Sequence, residues 1–237
     1  MLINELVNVC KQFILPNDGS VVIEEPYIPH IPHQWNKILV LAESQNLSAS
    51  NCKYVETLLS MSQEDRIRRL GVSPDGVGVY PWDDGSIKLA VEAAFQVDSS
   101  RVAVSNAVLW SQRGINKENK NPDIHLQGRS SEIWSELLCI LKPEKIICCG
   151  KIAQSVIAKT NWKGEVINLR LPAKTAMSRV SGMFNEADLL KRYPEVEKVL
   201  NQNPSLIRDG FQRNKIFYAC HAVSLRNQMY KALKSDS

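Results

Sequence analysis

The chain has 237 residues, 44% of them apolar, enough for one sizeable core without calling for a second domain. Its net charge of +4 and pI near 8.7 suit a protein facing a polyanion, although many unrelated proteins carry the same excess. No run approaches the ~18 uninterrupted apolar residues of a membrane span, which excludes an integral helical membrane protein at the level of sequence. The opening MLINELVNVC has Glu5 and no basic run ahead of an apolar stretch, so no secretory leader is expected.

Residues Ile3, Leu6, Val7, Cys10 and Ile14 recur at helical spacing and predict an amphipathic helix ending before Pro16. A proline-rich loop follows, with Pro26, Pro29 and Pro32. The apolar run from Lys37 to Ala42 then reads as a buried strand. Residues 51–70 are expected to be helical, and Gly71 to Gly85, with two prolines and four glycines, to be loop. Ile87, Ala90, Val91 and Ala94 restore the helical period. Val102 to Leu109 predicts a second buried strand, opening into a polar loop from Ser111 to Ser130, with Ser131 as the N-cap of the next helix. Lys145 to Gly150 predicts a third strand turning at the glycine into a helix over 151–160, and Val166 to Leu171 a fourth strand. A helix over 186–200, a fifth strand at Ile216 to Cys220 and a last helix complete the pattern.

Strands alternating with helices imply a three-layer α/β/α sandwich around a mainly parallel sheet of four to five strands, as one domain over 1–237. In such sheets ligands bind beyond the carboxyl ends of the strands. The residues to inspect are therefore Glu43 to Asn46, Asn106 onward, Gly150, Pro172 to Arg179 and His221. Six cysteines form no C-x-x-C pair, and Cys148–Cys149 lies inside an apolar run. With four scattered histidines, this points to reduced buried thiols in a cytosolic protein, with no metal and no cofactor.

Ala42-Glu43-Ser44-Gln45-Asn46, directly after a buried strand, resembles the first motif of the uracil-DNA glycosylase superfamily, which reads GQDPY, GINPG or GEAPG in different branches. Trp82, after Pro81, is placed like the aromatic that stacks on the flipped base, and Asn106 like the base-reading asparagine. The segment from Ser131 to Ala153 resembles the helix, strand and G-x-x-A turn that follow. Leu171-Pro172-Ala173, with Ser178, Arg179 and Gly182 behind it, resembles the second motif, HPSPLS. The resemblance runs from about Lys37 to Phe184 with its pieces in family order. It departs from the pattern in two places. The first motif lacks its leading glycine and its proline, and Leu171 stands where most branches have histidine. Cys220-His221-Ala-Val-Ser also looks like a decayed second motif at a strand end, which brings His221 in as a candidate.

The resemblance implies a monofunctional DNA glycosylase acting on uracil or a 5-modified pyrimidine, as a monomer, in repair or in defence against foreign DNA. Glu43, Asn46 and His221 are then the catalytic candidates, and Ser44, Gln45, Trp82 and Asn106 would bind the extruded base. Lys174, Ser178 and Arg179 would hold the flanking phosphates. An asparagine carboxamide offers both a donor and an acceptor to a pyrimidine edge. A carboxylate at Glu43 can orient water or stabilise an oxocarbenium-like charge. Asn46 replaces the tyrosine that, in the GQDPY branch, blocks a substituent at C5, so a modified pyrimidine is admitted beside uracil.

Each residue also has a plainer role open to it. Glu43 can be a carboxylate at a helix N-terminus, Asn106 a satisfied buried amide, Trp82 and His221 packing residues, and Lys174 and Arg179 solvated charges. Two other functions compete: a non-catalytic module that recognises a DNA base lesion, and an unrelated nucleotide-handling enzyme. The absence of G-x-x-x-x-G-K-[ST] and G-x-G-x-x-G counts against the second.

Overall fold

A computed structural model describes residues 2–44, 52–69, 72–73, 76–77, 86–112, 122–170 and 215–235. The chain divides into two compact units, Met1–Val79 with Arg101–Asn168 and Tyr80–Ser100 with Leu169–Ser237. In chain order the described elements are α1 (Leu2–Lys11), β1 (Ile38–Ser44), α2 (Cys52–Leu59), α3 (Gln63–Arg69), β2 (Val72–Ser73) and β3 (Gly76–Val77). They continue with α4 (Ser86–Phe95), β4 (Ala103–Val108), α5 (Ile124–Leu141), β5 (Lys145–Cys149), α6 (Lys151–Ala158), β6 (Glu165–Leu169) and α7 (Lys215–Ser235). The central sheet is all-parallel, in the order β4–β1–β5–β6, with flanking helices, as in the three-layer α/β/α class expected from the alternation.

The apolar runs become strands because both faces of each are covered. Register pairs Leu39 with Ala103 and Ile146, and Leu41 with Ser105 and Cys148, on one face. Val40 with Val104 and Ile147, and Ala42 with Asn106, occupy the other. All eleven residues are buried, so no polar alternation survives in the sequence. The Leu39–Leu41 face belongs to the main core with Leu6 and Cys10 of α1, Ile133, Trp134, Leu137 and Leu138 of α5, and Ala153 and Val156 of α6. Trp134 anchors it: its ring is fully buried and its indole N–H donates to the Ala107 carbonyl at 2.8 Å. Truncating such a residue to alanine costs about 3–5 kcal/mol.

The outer edge of β4 is closed by the proline-rich segment. His30 exchanges both backbone hydrogen bonds with Val104 (2.9 and 3.0 Å), and Val22 N–H donates to the Ser111 carbonyl at 2.9 Å. The Trp110 indole N–H donates to the Glu24 carbonyl at 2.9 Å. Covering an edge in this way removes a template for strand addition. Glu25, 3% exposed, pairs through both oxygens with the Arg66 guanidinium of α3 at 2.6 and 2.9 Å. Ile28 N–H also donates to the Ile67 carbonyl, so the segment is tied to α3 at two points.

In the second unit α4 and α7 pack together, burying Ile87, Ala90 and Val91 on one and Leu225 and Met229 on the other. The Gln228 carboxamide of α7 accepts from Arg170 N–H and donates to the Arg170 carbonyl, both at 3.0 Å. Among the described residues, no helix is long and apolar enough to cross a membrane.

Several elements differ from the expectation. The fifth strand is absent, because Ile216 to Cys220 form the opening of α7. A short apolar run does not distinguish strand from buried helix, and no glycine or proline interrupts the chain from there to Ser235. The polar loop ends at Asp123, not Ser130. The Asp123 carboxylate caps α5 by accepting from Leu126 N–H at 2.9 Å, while the Gln112 carboxamide holds both the side chain and the backbone of Asp123. Ser131 thus lies inside the helix, where its hydroxyl meets the Gln127 and Val156 carbonyls. The single helix expected over 51–70 is replaced by α2 and α3, since Ser62 and Asp65 make a capping pair that starts α3 afresh. Within the expected 71–85 loop, β2 and β3 pair antiparallel, Val72 with Val77. The helix expected over 186–200 lies outside the described residues.

Candidate functional site at the strand ends

β1 runs two residues past its apolar stretch because Ser44 still pairs with Val108 of β4. Glu43 and Ser44 are therefore the last residues of the strand, both half-buried, rather than the start of a loop. From β1 the chain goes to β4 on one side, then crosses back to β5 on the other. That reversal makes the carboxyl ends of β1 and β5 a topological switch point, where sheets of this kind leave a crevice.

Glu43 stands at that point. One of its carboxylate oxygens, Oε1, accepts from the Ile152 N–H at 3.2 Å, in the first turn of α6. A helix start has N–H groups without intrahelical partners and favours a negative group. The turn from β5 into α6 passes through Gly150 at φ 98° and ψ 165°. A Cβ there would lie 2.3 Å from Glu43 Oε1 and 2.6 Å from its Cδ. Glycine is thus required twice, by the backbone angles and by the carboxylate resting on it. The helix terminus that would otherwise offer its N–H groups to a nucleotide phosphate is occupied by this protein's own carboxylate.

Asn106 sits elsewhere on the same strand ends. Its register partner is Ala42, so its side chain shares a face with Ala42 and Ser44, while Glu43 points to the opposite face. Asn106 is 2% exposed, and its Nδ2 donates to the hydroxyl of Tyr27, itself 1% exposed, at 2.9 Å. Two residues separate it from the end of β4, about 7 Å at the usual strand rise. Burial pushes the Cys148 thiol up to about 12. It raises Cys149 as well, helped by the neighbouring Cys148 and Glu43. Neither supplies a thiolate nucleophile near neutral pH.

The structure brings Ser44 and Asn106 to one face and Glu43 to the other side of the same strand end. His221 does not stand at a strand end: it lies within α7, in the second unit. Gln45, Asn46, Trp82, Lys174, Ser178 and Arg179 lie outside the described residues. Among the described residues no group of three or more His, Cys, Asp or Glu could hold a metal ion. Sequence reasoning missed Tyr27, whose hydroxyl meets a residue 79 positions away. Its only local signal is an aromatic between two prolines. It also missed that Gly150 is fitted to Glu43, since that contact joins two strands. No protein-family model matches the chain, and no curated protein matches its sequence.

Proposed function

We propose that this chain is a DNA glycosylase that hydrolyses the N-glycosidic bond of an extruded uracil or 5-modified pyrimidine and leaves an abasic site. The observation that carries the reading is the position of Glu43. It is the one carboxylate in the segment resembling the first glycosylase motif, and it closes β1 at the switch point, braced by Gly150 and the start of α6. The braced carboxylate would orient a water whose oxygen bonds to C1′ as the C1′–N1 bond breaks, while the departing pyrimidine takes the electron pair and then a proton. A negative group beside the sugar also favours the positive charge that develops there. Ser44 and Asn106, on the other side of β1, would meet the base of a nucleotide lying across the strand end. The resemblance assigns Trp82 to stacking and Lys174, Ser178 and Arg179 to phosphates, with Gln45 and Asn46 completing the pocket; a monomer in the cytosol suffices for this work.

A second reading, a non-catalytic module that binds a base lesion, is favoured by one observation. Leu171 stands where the second motif carries its histidine, and His221, the other candidate for that role, lies within α7 and not at a strand end. Alkaline cleavage of labelled oligonucleotides carrying uracil, 5-substituted pyrimidines or normal bases separates the two. The glycosylase reading expects strand scission at one modified base, lost in Glu43→Ala and Asn106→Ala. Salt-sensitive binding with every strand intact would replace it with the lesion-binding reading.

A further inference from the structure

We infer that the amino end of the central sheet, opposite the end where Glu43 stands, is a surface that holds a DNA backbone without regard to sequence. The inference stands apart from the glycosylase reading, since a protein that releases no base can still bind DNA here. It starts from where the topology collects charge. In an all-parallel sheet every strand starts at one end, and α5 and α6 return their carboxyl ends to it. The residues that open strands and close helices therefore form one row, in the order β4–β1–β5–β6. In that row stand Arg101 ahead of β4, Lys37 ahead of β1, Lys142 and Lys145 between α5 and β5, and Lys159 and Lys163 between α6 and β6. At the usual strand spacing the row runs about 14 Å. Contacts along it tie neighbours together. The Arg101 carbonyl accepts from Asn36 N–H and the Lys37 carbonyl from Glu144 N–H, both at 2.9 Å. The Lys37 ammonium reaches the Leu141 carbonyl at 3.3 Å, and Lys145 pairs with Glu165 at the start of β6.

All six cations belong to the first unit, and all but Lys145 are exposed. Part of this charge has a structural role. Lys142 and Lys159 sit at the carboxyl ends of α5 and α6, where each helix presents about half a negative charge, and each lysine offsets that with charge to spare. The carboxylates at this end of the unit are Glu144, Glu165 and Glu5, the last lining a groove with Lys142. Among the described residues Arg101, Lys37, Lys142, Lys159 and Lys163 make no ion pair. Two buried donors in the same segments, Asn36 Nδ2 and Trp162 Nε1, have no acceptor among the described residues. This end thus holds donors in excess of oxygens as well as cations in excess of carboxylates. An interfacial membrane contact needs apolar side chains to bury. The exposed large apolar residues among those described are Leu59, Ile124 and Tyr230, and none lies in the row. A row of cations without apolar partners fits a polymer of repeated negative charge, and DNA phosphates supply one.

The test uses the full chain and a duplex of unmodified bases. Brief acetylation followed by peptide mapping reads each lysine with and without the duplex. Lys142, Lys159 and Lys163 should be shielded at low salt and exposed again at high salt. Equal labelling with and without the duplex would overturn the inference, whatever the protein does to a modified base. A second measurement uses the triple variant Lys142→Gln, Lys159→Gln and Lys163→Gln, whose exposed side chains make no ion pair among the described residues. By fluorescence anisotropy the slope of log Kd against log salt should fall by about 2–3 relative to the wild type. An unchanged slope in a variant that keeps the wild-type Tm would overturn the inference as well. Two further probes name the alternatives. Shielding of the same lysines by polyglutamate, or by vesicles containing phosphatidylserine, but not by the duplex would replace DNA with an acidic protein or a membrane surface.

Discussion

Replacing Gly150 by alanine perturbs two things at once, and the structure allows them to be separated. At φ 98° and ψ 165° the backbone lies in a region open almost only to glycine, and an L-residue there costs about 1–3 kcal/mol. The new Cβ would also fall within 2.3–2.7 Å of three Glu43 side-chain atoms, so the carboxylate must leave the Ile152 N–H. A hydrogen bond to a charged group contributes about 1.5–3 kcal/mol, and the half-buried position of Glu43 puts it at the lower end. Together the loss is about 2.5–5 kcal/mol, or a fall in Tm of roughly 5–20 °C for a chain of this size. Glu43→Ala removes all three atoms the Cβ would strike. In that background Gly150→Ala should cost only the backbone strain, about 1–3 kcal/mol. The assay is thermal unfolding of the wild type, both single variants and the double variant. Single effects that add to within about 0.5 kcal/mol would show that the two residues do not touch and would refute the packing argument.

Arg66→Met should cost about 3–5 kcal/mol in urea unfolding because it strands Glu25, 3% exposed, without its partner, whereas pairing it with Glu25→Leu should recover much of that loss. Burial lowers the His30 imidazole below its usual 6.5. The unfolded chain then binds the extra proton first, so the stability this residue contributes is present above about pH 6.5 and is lost as pH falls through its folded value. His30→Gln should flatten the stability profile between pH 7.5 and 5, and an unchanged profile would remove His30 as its cause. Among the described thiols, Cys139 is exposed while Cys10, Cys148 and Cys149 are buried, with Cys10 and Cys148 pushed up to about 12. Brief alkylation of the native protein followed by peptide mapping should label Cys139 and spare the other three.

The parallel sheet was legible because β1 and β5 are built on apolar runs and β4 on one broken only by Ser105 and Asn106, and the helix at Leu2–Lys11 because its buried residues keep a helical period. The start of α5 was misread because Ile124-His125-Leu126-Gln127 alternates apolar and polar residues and Gly128 follows, which hides the helical period, although Pro122 and Asp123 carry the signal of an N-terminus. Ile216 to Cys220 looked like a strand because residue types there favour strands, while the helical period shows only further on, at Leu225 and Met229. The site was half legible. Glu43 and Ser44 were located by the end of an apolar run, but their facing could not be, since one added strand residue reverses it. Tyr27 on Asn106 and Glu43 on Gly150 are contacts between distant segments, and no local spacing encodes them.

The most direct test of the central claim is mass-spectrometric detection of free base released from a duplex carrying a single uracil or 5-substituted pyrimidine, comparing the wild type with Glu43→Gln. The account expects one free pyrimidine and a matching abasic strand from the wild type, and a large loss of both from the variant. An intact duplex after prolonged incubation with the wild type, or release that Glu43→Gln leaves unchanged, would contradict it.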